Sequence, residues 1–264
     1  AQLRSAAPEG DFYAALERAA RAGAEIVIAT GRIYRGIPEM LRELPFLRYF
    51  ILMNGAKVYD RRMDKTLGRA EIPWETVEAV IDFLEPLHCS VDCFQNDRGL
   101  MARKYYDRLE QYVTHPPSFA LVKRTREPVD DLKEAVLAGG GSVQKVQAYF
   151  PDLELRPKVM EQCKLVFPDL VQAISMPANL EFNAPDATKG NGLRTLCRCL
   201  GIDPREAAAF GDGTNDLSLL QEAGIGVAMA NGAPETLAAA DLTAPSNEED
   251  GGAPILSRWF PPNT

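Results

Sequence analysis

Residues 207–217 read Ala207-Ala-Ala-Phe-Gly-Asp-Gly-Thr-Asn-Asp-Leu217, an apolar strand that runs directly into a glycine-rich turn with two acids and then into a helix. In open α/β sheets, ligands bind just beyond the carboxyl ends of such strands. Asp212 lies in the loop and Asp216 at the helix start, so both carboxylates can point toward one hard cation, and magnesium suits an all-oxygen pair. Gly211 and Gly213 permit a tight turn, Thr214 or Asn215 can cap the helix, and the Asn215 amide can donate to a bound anion. A lone Asp-Gly pair would mean only a capped turn. The full Gly-Asp-Gly-Thr-Asn-Asp run after a strand asks for a ligand.

Two further segments carry groups of the same kind. In Ile26-Val-Ile-Ala-Thr-Gly-Arg32, a buried strand ends in a hydroxyl, a glycine and a cation. Thr30 Oγ1 and the N–H groups around Gly31 can donate to a phosphate oxygen there. By itself, Thr-Gly often does no more than end a strand. In Asp186-Ala-Thr-Lys-Gly-Asn-Gly-Leu193, Lys189 stands just before a helix. Alone it reads as a solvated lysine; beside the Asp212 loop its ammonium would balance the carboxylates and hold phosphate.

Working outward, Phe12, Leu16, Ala19 and Ala20 recur at helical spacing, Gly23 ends that helix, and residues 25–29 and 49–53 are short apolar strands. After Lys189 the rhythm returns: a helix to Leu200, a strand over 207–210, a helix over 216–223, a strand over 226–229, and a last helix and strand within 234–243. This alternation predicts a Rossmann-like parallel sheet flanked by helices. Between them the pattern changes, with strands over 90–94, 143–150 and 179–182 and helices near 105–113, 129–138 and 153–164. The fold class is therefore α/β, with a discontinuous core over 1–62 and 185–264 and an inserted α+β module over 63–184. Gly139-Gly140-Gly141 reads as a turn, since no strand-to-helix phosphate motif surrounds it.

With 264 residues, 46% of them hydrophobic and 25% charged, the chain has the composition of a folded globular protein. A net charge of −8 argues against a nucleic-acid partner, which would need clustered Lys and Arg. Five cysteines (89, 93, 163, 197, 199) form no regular framework and read as reduced thiols; with only His88 and His115 available, a zinc site is disfavoured. No apolar run approaches the ~18 residues that span a bilayer, and no signal-like segment opens the chain, which predicts a cytoplasmic protein without a membrane partner.

Jointly, these segments in this order resemble the haloacid dehalogenase-like superfamily, specifically the Cof-type phosphatases with a large α+β cap. Thr30 corresponds to that family's second motif, Lys189 to its third, and Asp212, Asn215 and Asp216 to its fourth. Further family-like stretches are Met53-Asn-Gly-Ala-Lys-Val-Tyr59, Lys104-Tyr-Tyr-Asp-Arg-Leu-Glu110 and Ser246-Asn-Glu-Glu-Asp-Gly251. The resemblance implies magnesium-dependent hydrolysis of a small phosphorylated substrate, such as a sugar phosphate, through a phospho-aspartyl intermediate. Asp212 would ligate Mg2+ with Asp216 in support, while Thr30, Gly31, Lys189 and Asn215 would hold the transferring phosphoryl group. It also implies a monomer or weak homodimer. The family's first motif, Asp-x-Asp-Gly-Thr, has no counterpart here, and Asp11, followed by Phe-Tyr-Ala, matches neither aspartate. A strand–helix–strand unit needs about 30 residues, so the nucleophile strand is expected upstream of Ala1. Two alternatives remain open: a phosphomutase of similar architecture, and a relative that binds phosphate esters without turnover. Substrate choice would rest with the inserted module, where Asp92, Gln95, Arg98 and Arg103 are polar candidates.

Overall fold

A computed structural model describes residues 11–262. The described residues form two compact units, one from residues 11–30, Ile37–Gly68 and residues 188–262, the other from Gly31–Gly36 and Arg69–Ala187. In chain order the first contributes α1 (Asp11–Arg21), β1 (Ile26–Ala29), α2 (Glu39–Arg42), β2 (Leu47–Leu52), β3 (Lys57–Asp60) and β4 (Lys65–Arg69). The second contributes α3 (Trp74–Leu84), β5 (Ser90–Gln95), β6 (Arg98–Ala102), α4 (Arg103–Tyr106), α5 (Pro116–Thr125), β7 (Arg126–Val129), α6 (Leu132–Ala138), β8 (Lys145–Tyr149), α7 (Leu155–Val166), β9 (Val171–Ala173) and β10 (Asn179–Asn183). The chain then returns to the first unit through α8 (Lys189–Leu200), β11 (Ala208–Gly211), α9 (Leu217–Glu222), β12 (Ile225–Met229), α10 (Pro234–Ala239), β13 (Leu242–Ala244) and α11 (Gly252–Trp259).

In the first unit, β11, β12 and β13 are parallel neighbours, and a second sheet runs β1-β2-β3-β4 with β1 and β2 parallel. Local sequence explains the helices that carry these strands. Asp11 sits in the first turn of α1 and Arg18 and Arg21 in its last, complementing the helix dipole, and Gly23 at φ +95° ends it. Thr188 caps α8 by accepting from Asn191 N, and Gly201 closes it in the left-handed conformation. Ile51, Leu193, Cys197, Ala209, Leu219 and Leu220 form one buried cluster against which Val27 and Ala29 of β1 pack, so both sheets share a core. Among the described residues, β1 and β11 each pair on one side only. Although β1 is entirely apolar, all four of its residues are only half-buried.

The second unit is a six-stranded sheet in the order β7-β6-β5-β8-β10-β9, antiparallel except for β6 with β7. Period-two alternation puts Val91, Cys93, Val146, Ala148, Leu180 and Phe182 on one face, and Asp92, Lys145, Gln147 and Glu181 on the other. All of these are buried. Buried charges demand partners, and they have them: Arg126 donates to Asp92, and Lys145 Nζ lies 2.9 Å from Glu181 Oε1.

Several sequence expectations are corrected here. The helix expected near 105–113 is only the short α4 and a 3-10 turn at Leu109–Gln111; the real helix is α5, whose Pro116 and Pro117 occupy its first turn, where a missing N–H costs nothing. The helix expected from 129 starts at Leu132, because Asp131 caps it by accepting from Glu134 N. Strands β3, β4, β6, β7 and β9 escaped the apolar pattern, being short and carrying charged or polar residues such as Lys57, Lys65, Arg98 and Glu127. The glycine run is a turn, with Gly140 and Gly141 at positive φ after α6.

Candidate active site

The loop after β11 is set by contacts that only glycine allows. A Cβ on Gly211 would lie 2.5 Å from Asp216 Cβ, so the chain can fold back on itself only without one. The buried Asp216 carboxylate then fastens the turn, its Oδ2 accepting from Asp212 N and Gly213 N at 3.0 Å each. From outside the loop, buried Thr236 donates its hydroxyl to Gly213 O at 2.9 Å.

Lys189 reaches the same carboxylate. Its Nζ lies 2.5 Å from Asp216 Oδ1, with both side chains almost wholly buried. The approach of α8 depends on Gly190, whose Cβ would sit 2.3 Å from Ser218 O, and on Gly55, whose Cβ would sit 2.0 Å from Thr188 O. Burial by itself would raise the Asp216 carboxyl, but the Lys189 charge and the hydrogen bonds from Lys189 and Gly213 N outweigh it and hold the group below the usual carboxylate range. Both Asp216 oxygens thus accept from the chain, and Asp216 supports the loop and Lys189. Asp212 is half-buried, and its Oδ2 accepts from Asn247 Nδ2 at 2.8 Å.

Thr30 follows β1 directly, and Asn54 ties it to the Asp212 loop. Asn54 N donates to Thr30 O at 3.0 Å, and Asn215 Nδ2 donates to Asn54 Oδ1 at 3.1 Å. Asn54 is buried and holds φ +58°, a conformation that asparagine tolerates better than most residues. The structure therefore links Thr30, Asn215, Asp212, Asp216 and Lys189 within one unit, through residues after β1, β2 and β11 and at the start of α8. Gly31 belongs to the segment Gly31–Gly36, which clusters with the other unit. Sequence reasoning assigned no role to Asn54 or Asn247; the available signal was an Asn-Gly pair directly after a buried strand, which marks a left-handed turn where function concentrates.

In the second unit, the four polar candidates are all engaged. Asp92 pairs with Arg126, Gln95 donates to Val136 O and Ser142 O at 2.8 and 2.9 Å, Arg98 pairs with Glu127, and Arg103 with Asp130. Gln95 thereby serves the α6–β8 connection. Cys89 and Cys93 are buried free thiols, and burial pushes Cys89 up to about 12 and Cys93 upward as well, which keeps both protonated.

Chain connectivity places the site where α/β sheets bind ligands. Thr30 follows the carboxyl end of β1 and Asp212 that of β11, each the first strand of a parallel pair, with β2 and β12 respectively.

Comparison with known proteins gives the same architecture. YxeH of Bacillus subtilis is 30% identical over 248 residues, covering 90% of this chain and 87% of that protein. The 5-amino-6-(5-phospho-D-ribitylamino)uracil phosphatase YbjI of Escherichia coli is 25% identical over 260 residues, covering 94% and 87%. The structure of BT4131, described as a sugar phosphatase of haloacid dehalogenase subclass IIB, matches with a TM-score of 0.76 at 26% identity, covering 94% of this chain and 90% of that one. The sequence profile of haloacid dehalogenase-like hydrolases matches residues 11–256, and with nearly the whole chain inside it the protein belongs to that family.

Proposed function

We propose that the protein is a magnesium-dependent phosphatase of small phosphorylated metabolites, sugar phosphates foremost. The observation that carries this reading is the buried Lys189–Asp216 pair, with Asp216 bonded to Asp212 N at a strand end whose Asn215 is joined to Thr30 through Asn54. The similarity to YbjI and BT4131 supports phosphate-ester chemistry.

The donors suit a hard cation in part. Asp212 offers carboxylate oxygen, but no group of three or more His, Cys, Asp or Glu side chains converges among the described residues. Asp212 would therefore share the ion with water, the substrate phosphate and a further carboxylate. Bound magnesium would neutralise the phosphoryl oxygens. Lys189 sets a positive charge against the same phosphoryl group, and Asp216 keeps that ammonium aimed. Thr30 Oγ1 and the second N–H of the Asn215 amide donate to its remaining oxygens. A nucleophile carboxylate oxygen would attack phosphorus as the ester P–O bond breaks and the leaving oxygen takes a proton. Water would then cleave the acyl phosphate and release inorganic phosphate.

The test is release of inorganic phosphate from a panel of sugar phosphates by the intact protein with and without magnesium. Asp212→Asn is expected to abolish release, and Asp11→Asn to leave it unchanged, since Asp11 is an exposed residue opening α1. Absence of release, or full activity in Asp212→Asn, overturns the reading.

A further inference from the structure

We propose that Asn247 is a positioning residue that aims the Asp212 carboxylate at the divalent cation; this rests on the metal-dependent reading above. Three loops meet at this point, each following one of the parallel strands: Asp212 after β11, Asn231 after β12 and Asn247 after β13. Asn247 Nδ2 donates to Asp212 Oδ2 at 2.8 Å.

The orientation of that amide is fixed by its other end. Asn247 Oδ1 accepts from Asn231 Nδ2 at 2.9 Å, and Asn247 N donates to Asn231 Oδ1 at 3.2 Å. Reversing the Asn247 amide would set NH2 against NH2 on one side and oxygen against carboxylate on the other. Asn231 therefore decides that a donor, not an acceptor, faces Asp212.

The segment 246–251 is shaped independently of this contact. Ser246 Oγ accepts from Glu248 N at 3.1 Å, and Ser246 O accepts from Glu249 N and Gly251 N at 3.0 Å each. A Cβ on Gly251 would lie 1.9 Å from Pro245 O. The loop thus closes on its own backbone, and the Asn247 side chain is not needed to hold it together. What Asn247 adds is a hydrogen bond to the Asp212 carboxylate.

The Asp212 backbone is held from two other directions. Its N donates to Asp216 Oδ2 at 3.0 Å and its O accepts from Ala233 N at 2.8 Å. Gly232 makes the second contact possible, since a Cβ there would meet Asp212 O at 3.0 Å. With the backbone fixed, the Asn247 bond acts on the orientation of the carboxylate itself. Ligand carboxylates are commonly oriented by such outer partners, and losing one typically costs about 10- to 100-fold in metal affinity.

The test is calorimetric titration of the intact protein with Mg2+ in the absence of substrate, with melting temperatures measured in metal-free buffer. Asn247→Ala is expected to weaken Mg2+ binding about 10-fold while the metal-free melting temperature stays close to wild type. Asn231→Ala is expected to show part of that loss, and the double variant no more than Asn247→Ala alone, because Asn231 acts through Asn247. If Asn247→Ala does not fold, Asn231→Ala carries the test, since it leaves both Asn247 and Asp212 in place. Unchanged Mg2+ affinity in Asn247→Ala, with Asp212→Asn losing binding, overturns this proposal and leaves the metal-dependent reading standing. Mg2+ binding that is absent in wild type, or insensitive to Asp212→Asn, overturns both.

Discussion

Replacing Lys189 by Met would leave the Asp216 carboxylate buried without its counter-charge, and breaking one side of a buried pair costs about 3–5 kcal/mol. Urea unfolding of Lys189→Met should show a loss of that order, together with a fall in phosphate release of about 100-fold or more if the ammonium also stabilises the transferring phosphoryl group. The same pair predicts an acid limb in stability. Because the folded-state Asp216 carboxyl is held below its unfolded value near about 3.9, its contribution is complete above that value and is lost as pH falls through the lower folded value. Melting temperature followed from pH 6 to pH 3 should therefore drop less steeply in Asp216→Asn than in wild type, from a lower starting point. Equal slopes would remove Asp216 from the account. Sequence made Lys189 and Asp216 visible as motif residues, but not as partners of each other: they stand 27 residues apart, and no local periodicity connects a helix start to a loop at that range.

Helices α8 and α9 are held close by glycine backbone, so their packing should be intolerant of even one methyl. Gly190→Ala places a Cβ 2.3 Å from Ser218 O in a helix that cannot retreat without moving Lys189. Overpacking of this kind costs about 1–3 kcal/mol, readable as a lower urea midpoint with unchanged m-value. The elements that sequence patterns located were those with strong apolar runs or clear stops, such as β2, β11 and α8. Those that they missed, β3, β4, β6 and β7, carry Lys57, Asp60, Lys65, Arg98 and Glu127, and their strand character comes from pairing with adjoining strands instead of from their own alternation. The helix misplaced to 105–113 has the same origin: Pro116 and Pro117 mark an interruption in a linear reading, yet serve as the first turn once the helix is laid down.

At the scale of the whole molecule, the six-stranded sheet is stabilised differently from the sheets of the first unit. The sheet of the second unit has an apolar face and a buried charged one, where Arg126 answers Asp92. Arg126→Met should lower that unit's stability by about 3–5 kcal/mol, whereas pairing it with Asp92→Leu should recover most of the loss, since the orphaned charge is then gone; denaturant titration of the single and double variants decides it. What the sequence determined by itself was the α/β rhythm, the strand-to-acidic-turn at 207–217 and the residue types suited to phosphate and a hard cation, because those depend on neighbours a few positions apart. Tertiary structure alone decided that Val27 and Ala29 of β1 pack against the same buried cluster as Ala209 of β11, that Asn54, bonded to Thr30, meets Asn215 across 161 residues, and that Asn247 holds Asp212 across 35. The physical reason is that a hydrogen bond needs its two atoms at about 3 Å, whatever the chain length between them, and only the folded sheet brings the ends of separate strands that close.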